Sequence, residues 1–329
     1  MKRCFLRLLA VAMAFVMICT MTLPQGAPFQ VNALAAVSVL DIASPKKLIG
    51  NYTIDRDEII YIRDGGSFTV SEDVTLKVDG RLKIAEGGVL NVRGHIEITE
   101  DGLASCSGRI KIFEGGSINL DGYMWINNTG VASGNGVIRV KHDFSDIICK
   151  GTVTAHIEAP EPVEKDGVTY VGGVLLVNKE YSLPASYGNG ITPAAYTAYI
   201  KMKKASGYDM SIISGFRSYT KQESTFNYWV SIDGYENAVT YSAKPGHSEH
   251  QTGLAMDITS LNQSYGNTAE GKWLAEHCHE YGFIIRYPKG KTNITGYIYE
   301  PWHVRYLGTS TAKLVHDSGL TLEEFLGVA

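Results

Sequence analysis

Glycine recurs every fourteen residues through the first half of this 329-residue chain, and that period limits what the segment can fold into. Gly66, Gly80, Gly94, Gly108, Gly122 and Gly136 form one series, and Gly88, Gly102, Gly116 and Gly130 form a second with the same step. Apolar pairs two residues apart follow the first series: Phe68/Val70, Leu82/Ile84, Ile96/Ile98, Ile110/Ile112, Met124/Ile126 and Ile138/Val140. Leu90/Val92, Ala104/Cys106 and Ile118/Leu120 follow the second. Lys83, Glu97 and Lys111 are typical of the polar residues between pair members. Alternation at period two marks a strand buried on one face. Glycine is expected to supply the positive-φ corner needed to turn the chain. Two short strands and two corners per fourteen residues, stacked on like neighbours, predict a narrow β-solenoid over 36–156. Independent hairpins would not hold one period over five steps. A spacer, an oligomerising element and a wall-binding module all suit such a rod, and no charged or aromatic stripe chooses among them.

The N-terminus reads as a targeting segment. Lys2, Arg3 and Arg7 precede an apolar run up to Leu23, and Ala33-Leu34-Ala35 offers a small-x-small cleavage site. Residues 1–35 are therefore expected to be a cleavable signal peptide and the mature protein to be secreted or wall-associated. An uncleaved anchor is the rival reading, and membrane contact is expected only through it. Losing the leader removes three cations and no acid, so the net charge moves from −4 to −7. That balance argues against nucleic acid as a partner. Outside the leader, Cys106, Cys149 and Cys278 form no Cys-x-x-Cys pair and read as structural thiols, with room for one bridge.

Residues 157–168 lose the period and concentrate proline and charge, as a linker would. Helical and strand patterns then alternate without a βαβ rhythm, which predicts an α+β domain over 169–329. Helices are expected at 193–206, 221–232 and 269–281. Ala194, Tyr196, Ile200 and Met202 are buried candidates on the first. Strands are expected at 210–213, 254–258, 283–287 and 297–299.

Three stretches of this half carry chemistry: Ser-Gly-Phe-Arg-Ser (214–218), Ser-Glu-His-Gln-Thr-Gly-Leu-Ala-Met-Asp (248–257) and Glu-Pro-Trp-His (300–303). A hydrolytic zinc site needs three protein ligands and one open position. His250, Asp257 and His303 fit as ligands of Zn2+. Glu300, three residues before His303, is placed to take a proton from water and pass it on. Arg217 is the candidate for the charge that develops on a carbonyl oxygen. Trp302 would wall one side. Each signal alone is common; together they make a metallohydrolase. His277 and His279, two apart on an expected helix, read as surface residues, and His247 as a lining residue at most.

With these motifs in view, residues 170–308 resemble the VanY-type D-alanyl-D-alanine carboxypeptidases, zinc peptidases of bacterial cell wall. The agreement runs through Leu176-Val177-Asn178-Lys179, Ser214–Ser218, Pro245-Gly246, Ser248–Gly253, Asp257, Tyr281-Gly282-Phe283, Arg286-Tyr287-Pro288 and Glu300–His303. Phe216 and Lys244 depart from the residues common there, tyrosine and arginine. The resemblance implies His250, Asp257 and His303 as metal ligands, Glu300 as catalytic base and Arg217 as the carbonyl-polarising cation. It also implies Ser248, Gln222 and Tyr287 as substrate contacts, and peptidoglycan stem peptide as partner. The expected activity is removal of a terminal D-amino acid. An L,D-carboxypeptidase and a stem-peptide endopeptidase stay open, as does a non-catalytic wall or surface scaffold. The glycine repeat is no part of that family. The whole is expected to be multidomain, a β-solenoid followed by an α+β zinc peptidase domain.

Overall fold

A computed structural model describes residues 37–329; the expected signal peptide lies outside them. The repeat region folds into three six-stranded sheets in which neighbouring strands pair in parallel. The first sheet stacks Ser38–Ile42, Glu58–Ile62, Arg81–Ile84, Leu103–Cys106, Tyr123–Ile126 and Ile147–Cys149. The second runs from Lys46–Leu48 to Thr152–Val153 and the third from Tyr52–Ile54 to His156–Glu158. Both residues of every predicted apolar pair face inward, and Leu82, Ile84, Leu90, Val92, Ile96 and Ile98 are each about 1% exposed or less.

Two details of the expectation change. Strands begin alternately eight and six residues apart, so fourteen residues hold two strands, yet three strands close one turn. Arg81 pairs with Leu103, 22 residues on, and Leu103 with Tyr123, 20 on. A turn is thus one and a half sequence repeats, and the rod is three-sided. The periodic glycines also have a different cause. None of the ten has positive φ; left-handed backbone falls instead at Gly65, Gly87 and Gly115, just before three of them, and at Asp73. A Cβ on Gly122 would fall on the carbonyl oxygens of Thr99 and Gly102, and one on Gly108 on those of Ala85 and Gly88. Close approach of successive turns, rather than a special dihedral, demands glycine there.

The stretch read as a linker is ordered into structure. His156–Glu158 completes the third sheet, and Val163–Lys165, Val168–Val171 and Val174–Leu176 form an antiparallel sheet of three strands. The second half is α+β. Its sheet holds β1 (Ile212–Ser214), β2 (Ala255–Ile258), β3 (Phe283–Tyr287) and β4 (Glu300–Tyr306) in the antiparallel order β1-β2-β4-β3. The segment 297–299, expected as a strand, only leads into β4. Around it lie α1 (Pro193–Ser206), α2 (Tyr219–Asp233), α3 (Ala269–His277), α4 (Thr309–Ser318) and α5 (Leu322–Phe325). Thr192 caps α1 with its hydroxyl, and Gly207 ends it in left-handed conformation. Its buried side is Ala195, Ala198, Tyr199 and Met202, whereas Ala194, Tyr196 and Ile200, expected inside, face solvent. α3 stops at His277 and continues as a 3-10 turn to Gly282.

Two cores result. One lies under β2 and β4, with Met202, Met256, Leu274, Phe283 and Val304. The other fills the solenoid and continues into α4 and α5 through Ala312, Leu314, Val315, Leu322 and Phe325. Phe325 meets Phe144 at 4.9 Å between ring centroids, closing the last turn of the rod. The three cysteines Cys106, Cys149 and Cys278 are free and buried, and burial pushes each thiol up, to about 11, 11 and 12. Among the described residues no helix is long and apolar enough to cross a membrane.

Candidate functional site

Strand pairing brings the ligand candidates together. Asp257 on β2 lies opposite His303 on β4. His250 sits in the 3-10 turn Glu249–Thr252, which ends at Gly253 with φ +69 before the chain enters β2. A Cβ on Gly253 would also strike the Gly190 carbonyl, so this bend tolerates no side chain. The ligand atoms of His250, Asp257 and His303 lie within 4.8 Å of one another, and all three residues are buried.

Each imidazole is turned by a partner on its far nitrogen. His250 donates from Nδ1 to the Gly215 carbonyl (2.7 Å), leaving Nε2 toward Asp257 Oδ2 at 3.2 Å. His303 directs Nε2 at Glu249 (3.4 Å) and Nδ1 at Asp257 Oδ1 (3.1 Å). Anchoring the remote nitrogen fixes tautomer and ring plane, the usual arrangement around a bound metal. Two imidazole nitrogens and a carboxylate that converge this way fit a divalent ion such as zinc.

Burial and charge set the protonation of the group. Burial alone would raise Asp257, but His250 and then His303 hold its carboxyl far below the usual range. Burial lowers His250. His303 is raised to about 9: burial opposes this, and hydrogen bonds to Asp257 and Glu249 overcome it. Glu300, buried at the start of β4, is raised to about 8 by desolvation despite the nearby His303 (3.7 Å). A carboxyl that exchanges its proton near neutrality suits acid–base work.

Arg217 lies in the loop between β1 and α2. Its Nη1 donates to Gln222 Oε1 (2.9 Å), its Nη2 to Ser214 Oγ (2.8 Å), and its backbone N–H to the His250 carbonyl (3.2 Å). Burial lowers its pKa, but a guanidinium stays charged. Arg217, Ser248, His250, Asp257, Tyr287, Glu300, Trp302 and His303 all line one cleft of about 610 Å³. Thr225, Trp229, Tyr241 and Tyr297 complete much of the wall.

Gln222 departs from its expected role. It is fully buried, and its amide spans Arg217 and the Ala243 carbonyl (2.6 Å), so it orients the arginine from behind the cleft. His247 bonds the Asn178 carbonyl (2.8 Å) and is structural. His277 pairs with Glu280 (2.9 Å) near the surface, while His279 is partly buried and stacks on His316 at 3.7 Å.

One functional residue escaped the sequence reading. Glu249 is 1% exposed and accepts from Arg286 Nε (2.7 Å), Arg305 Nη1 (2.7 Å) and His303. Burial would raise it, yet Arg286 and Arg305 hold it well below the usual carboxylate range. Glu323 on α5 grips the other side of Arg286 through both guanidinium nitrogens (2.8 and 2.5 Å). The available signal was Arg286 inside the otherwise apolar run Phe283–Tyr287, and Arg305 beside Val304 on β4, where a buried cation must have a partner.

Fold and site define the class, a VanY-type peptidase domain. The family model described as VanY, D-alanyl-D-alanine carboxypeptidase, matches residues 189–309. The chain is 35% identical over 204 residues to the D-alanyl-D-alanine carboxypeptidase of Enterococcus faecalis, covering 54% of this chain and 75% of that protein. It is 43% identical over 178 residues to YodJ of Bacillus subtilis, a protein named as a carboxypeptidase. That match covers 46% of this chain and 65% of the relative, slightly under two thirds of its length. Among solved structures, the L,D-carboxypeptidase DacB from Streptococcus pneumoniae is 39% identical, with a TM-score of 0.47 over 51% of this chain and 95% of that one. The chain belongs to the VanY D-alanyl-D-alanine carboxypeptidase family.

Proposed function

We propose that this chain is a secreted, zinc-dependent carboxypeptidase that removes the terminal D-alanine from peptidoglycan stem peptides. One observation carries the reading: a single cleft gathers three metal-ligand atoms, a carboxyl poised near neutrality and a fixed guanidinium. A divalent ion on His250, Asp257 and His303 would supply Lewis-acid polarisation of water and of the scissile carbonyl. The side chains do the rest. Glu300 takes the proton of the attacking water and returns it to the leaving amine. Arg217, held by Gln222 and Ser214, donates to the carbonyl oxygen as negative charge grows there. The Ser248 hydroxyl and the Tyr287 and Trp302 rings bound the space for the peptide. The family membership and the relative from Enterococcus faecalis support the substrate class.

Mass spectrometry of purified zinc-loaded protein with muramyl pentapeptide and tetrapeptide tests this. The reading expects loss of one alanine from the pentapeptide. Cleavage of the tetrapeptide alone would make it an L,D-carboxypeptidase, and an internal cut an endopeptidase. No cleavage of either would leave only a binding or scaffold role.

A further inference from the structure

The turn length of the solenoid brings together residues that the fourteen-residue repeat keeps apart. On the first sheet the outward positions form two rows along the rod. Ile59, Arg81, Leu103 and Tyr123 are in register in one, and Tyr61, Lys83, Ser105 and Trp125 in the other. Successive strands are about 4.8 Å apart, so Tyr61 and Trp125 sit roughly 14 Å from each other along the rod. Tyr123 and Trp125 point the same way from one strand, roughly 7 Å apart. Lys83 Nζ lies 5.2 Å from the Tyr61 ring centroid. The three rings are partly exposed and the two cations exposed.

The other two faces differ. The outward rows of the second sheet include Thr69, Asn91, Arg109 and Lys111, and those of the third Lys77, Glu97, Asn119 and Arg139. Neither carries tyrosine, tryptophan or phenylalanine in these outward rows, and the rings of the third are the imidazoles of His95 and His156. The first face joins three rings to two cations, on a chain whose net charge is negative, and the carboxylate next in register with Tyr61, Asp41, is already paired with Arg63. Aromatic planes match the apolar C–H faces of pyranose rings, and cations between them match carboxylates on the sugars.

We propose that this face binds the glycan strand of peptidoglycan, an amino-sugar polymer whose alternate sugars bear a carboxyl-containing side group. The inference rests on the reading that the cleft acts on wall peptides, since that glycan carries them. Sugar rings stack along Tyr61, Tyr123 and Trp125, and Arg81 and Lys83 pair with the free carboxylates of those sugars that carry no peptide, since that carboxyl is an uncharged amide wherever a peptide is attached. The rod then holds the chain on the strand while the cleft samples the attached peptides.

Co-sedimentation of the full chain with purified sacculi, stripped of other anionic wall polymers, is the test. The pair Tyr123→Ala/Trp125→Ala is expected to weaken binding roughly tenfold, as loss of an aromatic anchor does. Lys83→Glu, which keeps every ring, is expected to weaken it similarly. The neighbouring-face pair Arg109→Ala/Lys111→Ala, with equal change in charge to Arg81→Ala/Lys83→Ala, should leave binding within about twofold of wild type. Glycan freed of its peptides by an amidase should still bind. Circular dichroism confirms that each variant is folded. Unchanged binding by the aromatic pair and Lys83→Glu overturns the proposal, as does equal loss in the Arg109/Lys111 control, or binding only when other anionic polymers are left on the wall. Hydrolysis of soluble pentapeptide by the same preparations separates the two readings. Cleavage without glycan binding sinks this one alone, and glycan binding without cleavage sinks the enzymatic one alone.

Discussion

At Glu249 two arginines and a histidine meet one carboxylate inside the core. Replacing Glu249 with Ala leaves Arg286 and Arg305 buried without their shared partner and frees the far nitrogen of His303. Removing one member of such a network costs about 3–5 kcal/mol, and loss of the histidine anchor weakens metal binding roughly 10- to 100-fold. Chemical denaturation and a chelator competition titration measure the two effects. Glu300→Ala should act differently, lowering kcat by about 10²–10⁴ with zinc content unchanged by elemental analysis. Retention of near-normal turnover would remove Glu300 as the base. The raised groups also fix a pH dependence. His303 at about 9 and Glu300 at about 8 both exceed their ordinary values of 6.5 and 4.5. Each holds its proton more firmly folded than unfolded, so its stabilisation of the metal-free chain is complete below the ordinary value. That stabilisation is lost as pH rises through about 8 and 9. Zinc competes with the His303 proton, so affinity should rise with pH over the same window, by about tenfold per unit for each proton released. Competition titrations at three pH values would show this, and a flat profile would exclude it. At this scale the motifs picked out His250, Asp257, His303, Glu300 and Arg217, and the structure brings these five to one cleft. Glu249 and Gln222 were not, since their roles depend on arginines brought from elsewhere in the chain.

Among the elements, the rod separates two uses of glycine that sequence alone merges. Gly122 has ordinary backbone but no room, because the previous turn's carbonyls occupy the Cβ position. Gly115 has φ +80 and open space around it. Gly122→Ala must push two turns apart, at a cost of about 1–3 kcal/mol or more. Gly115→Ala meets only the left-handed penalty, about 1–2 kcal/mol. Urea denaturation should therefore rank Gly122→Ala as the more damaging, with a broken or less cooperative transition if turns separate. Equal costs would return the explanation to dihedral preference. The same distinction explains what was readable here. Strand positions follow from alternation, which is local, and all the expected solenoid pairs are buried. The number of strands per turn is a property of packing between turns, so a fourteen-residue period was compatible with two sides or three. The register that aligns Tyr61 with Trp125 was hidden for the same reason. On α1 the apolar positions include Tyr196 and Ile200 as well as Ala195 and Tyr199, and only the neighbouring sheet decides which side is covered.

For the molecule as a whole, the rod and the metal site are joined through α5. Leu322 and Phe325 belong to the solenoid's core, with Phe325 against Phe144, while Glu323 between them holds Arg286. Arg286 in turn donates to Glu249, which anchors His303. Composition suggested a linker at 157–168, since proline and charge say nothing of helices contributed by residues about 150 positions later. Those helices close the rod's last turn. A fragment of residues 157–329 would keep the core under β2 and β4, which has no solenoid members. It would, however, expose Leu322 and Phe325 to water, weakening α5 and with it the clamp on Arg286. The fragment should still hold zinc, but roughly tenfold more weakly than the full chain, and Glu323→Ala in the full chain should reproduce most of that loss. Competition titration of the three proteins against one chelator decides it. If the fragment binds zinc as tightly as the full chain while Glu323→Ala does not, α5 docks without the rod and the two halves are only neighbours. If both bind as tightly, the Arg286–Glu249 pair needs no support from α5 at all.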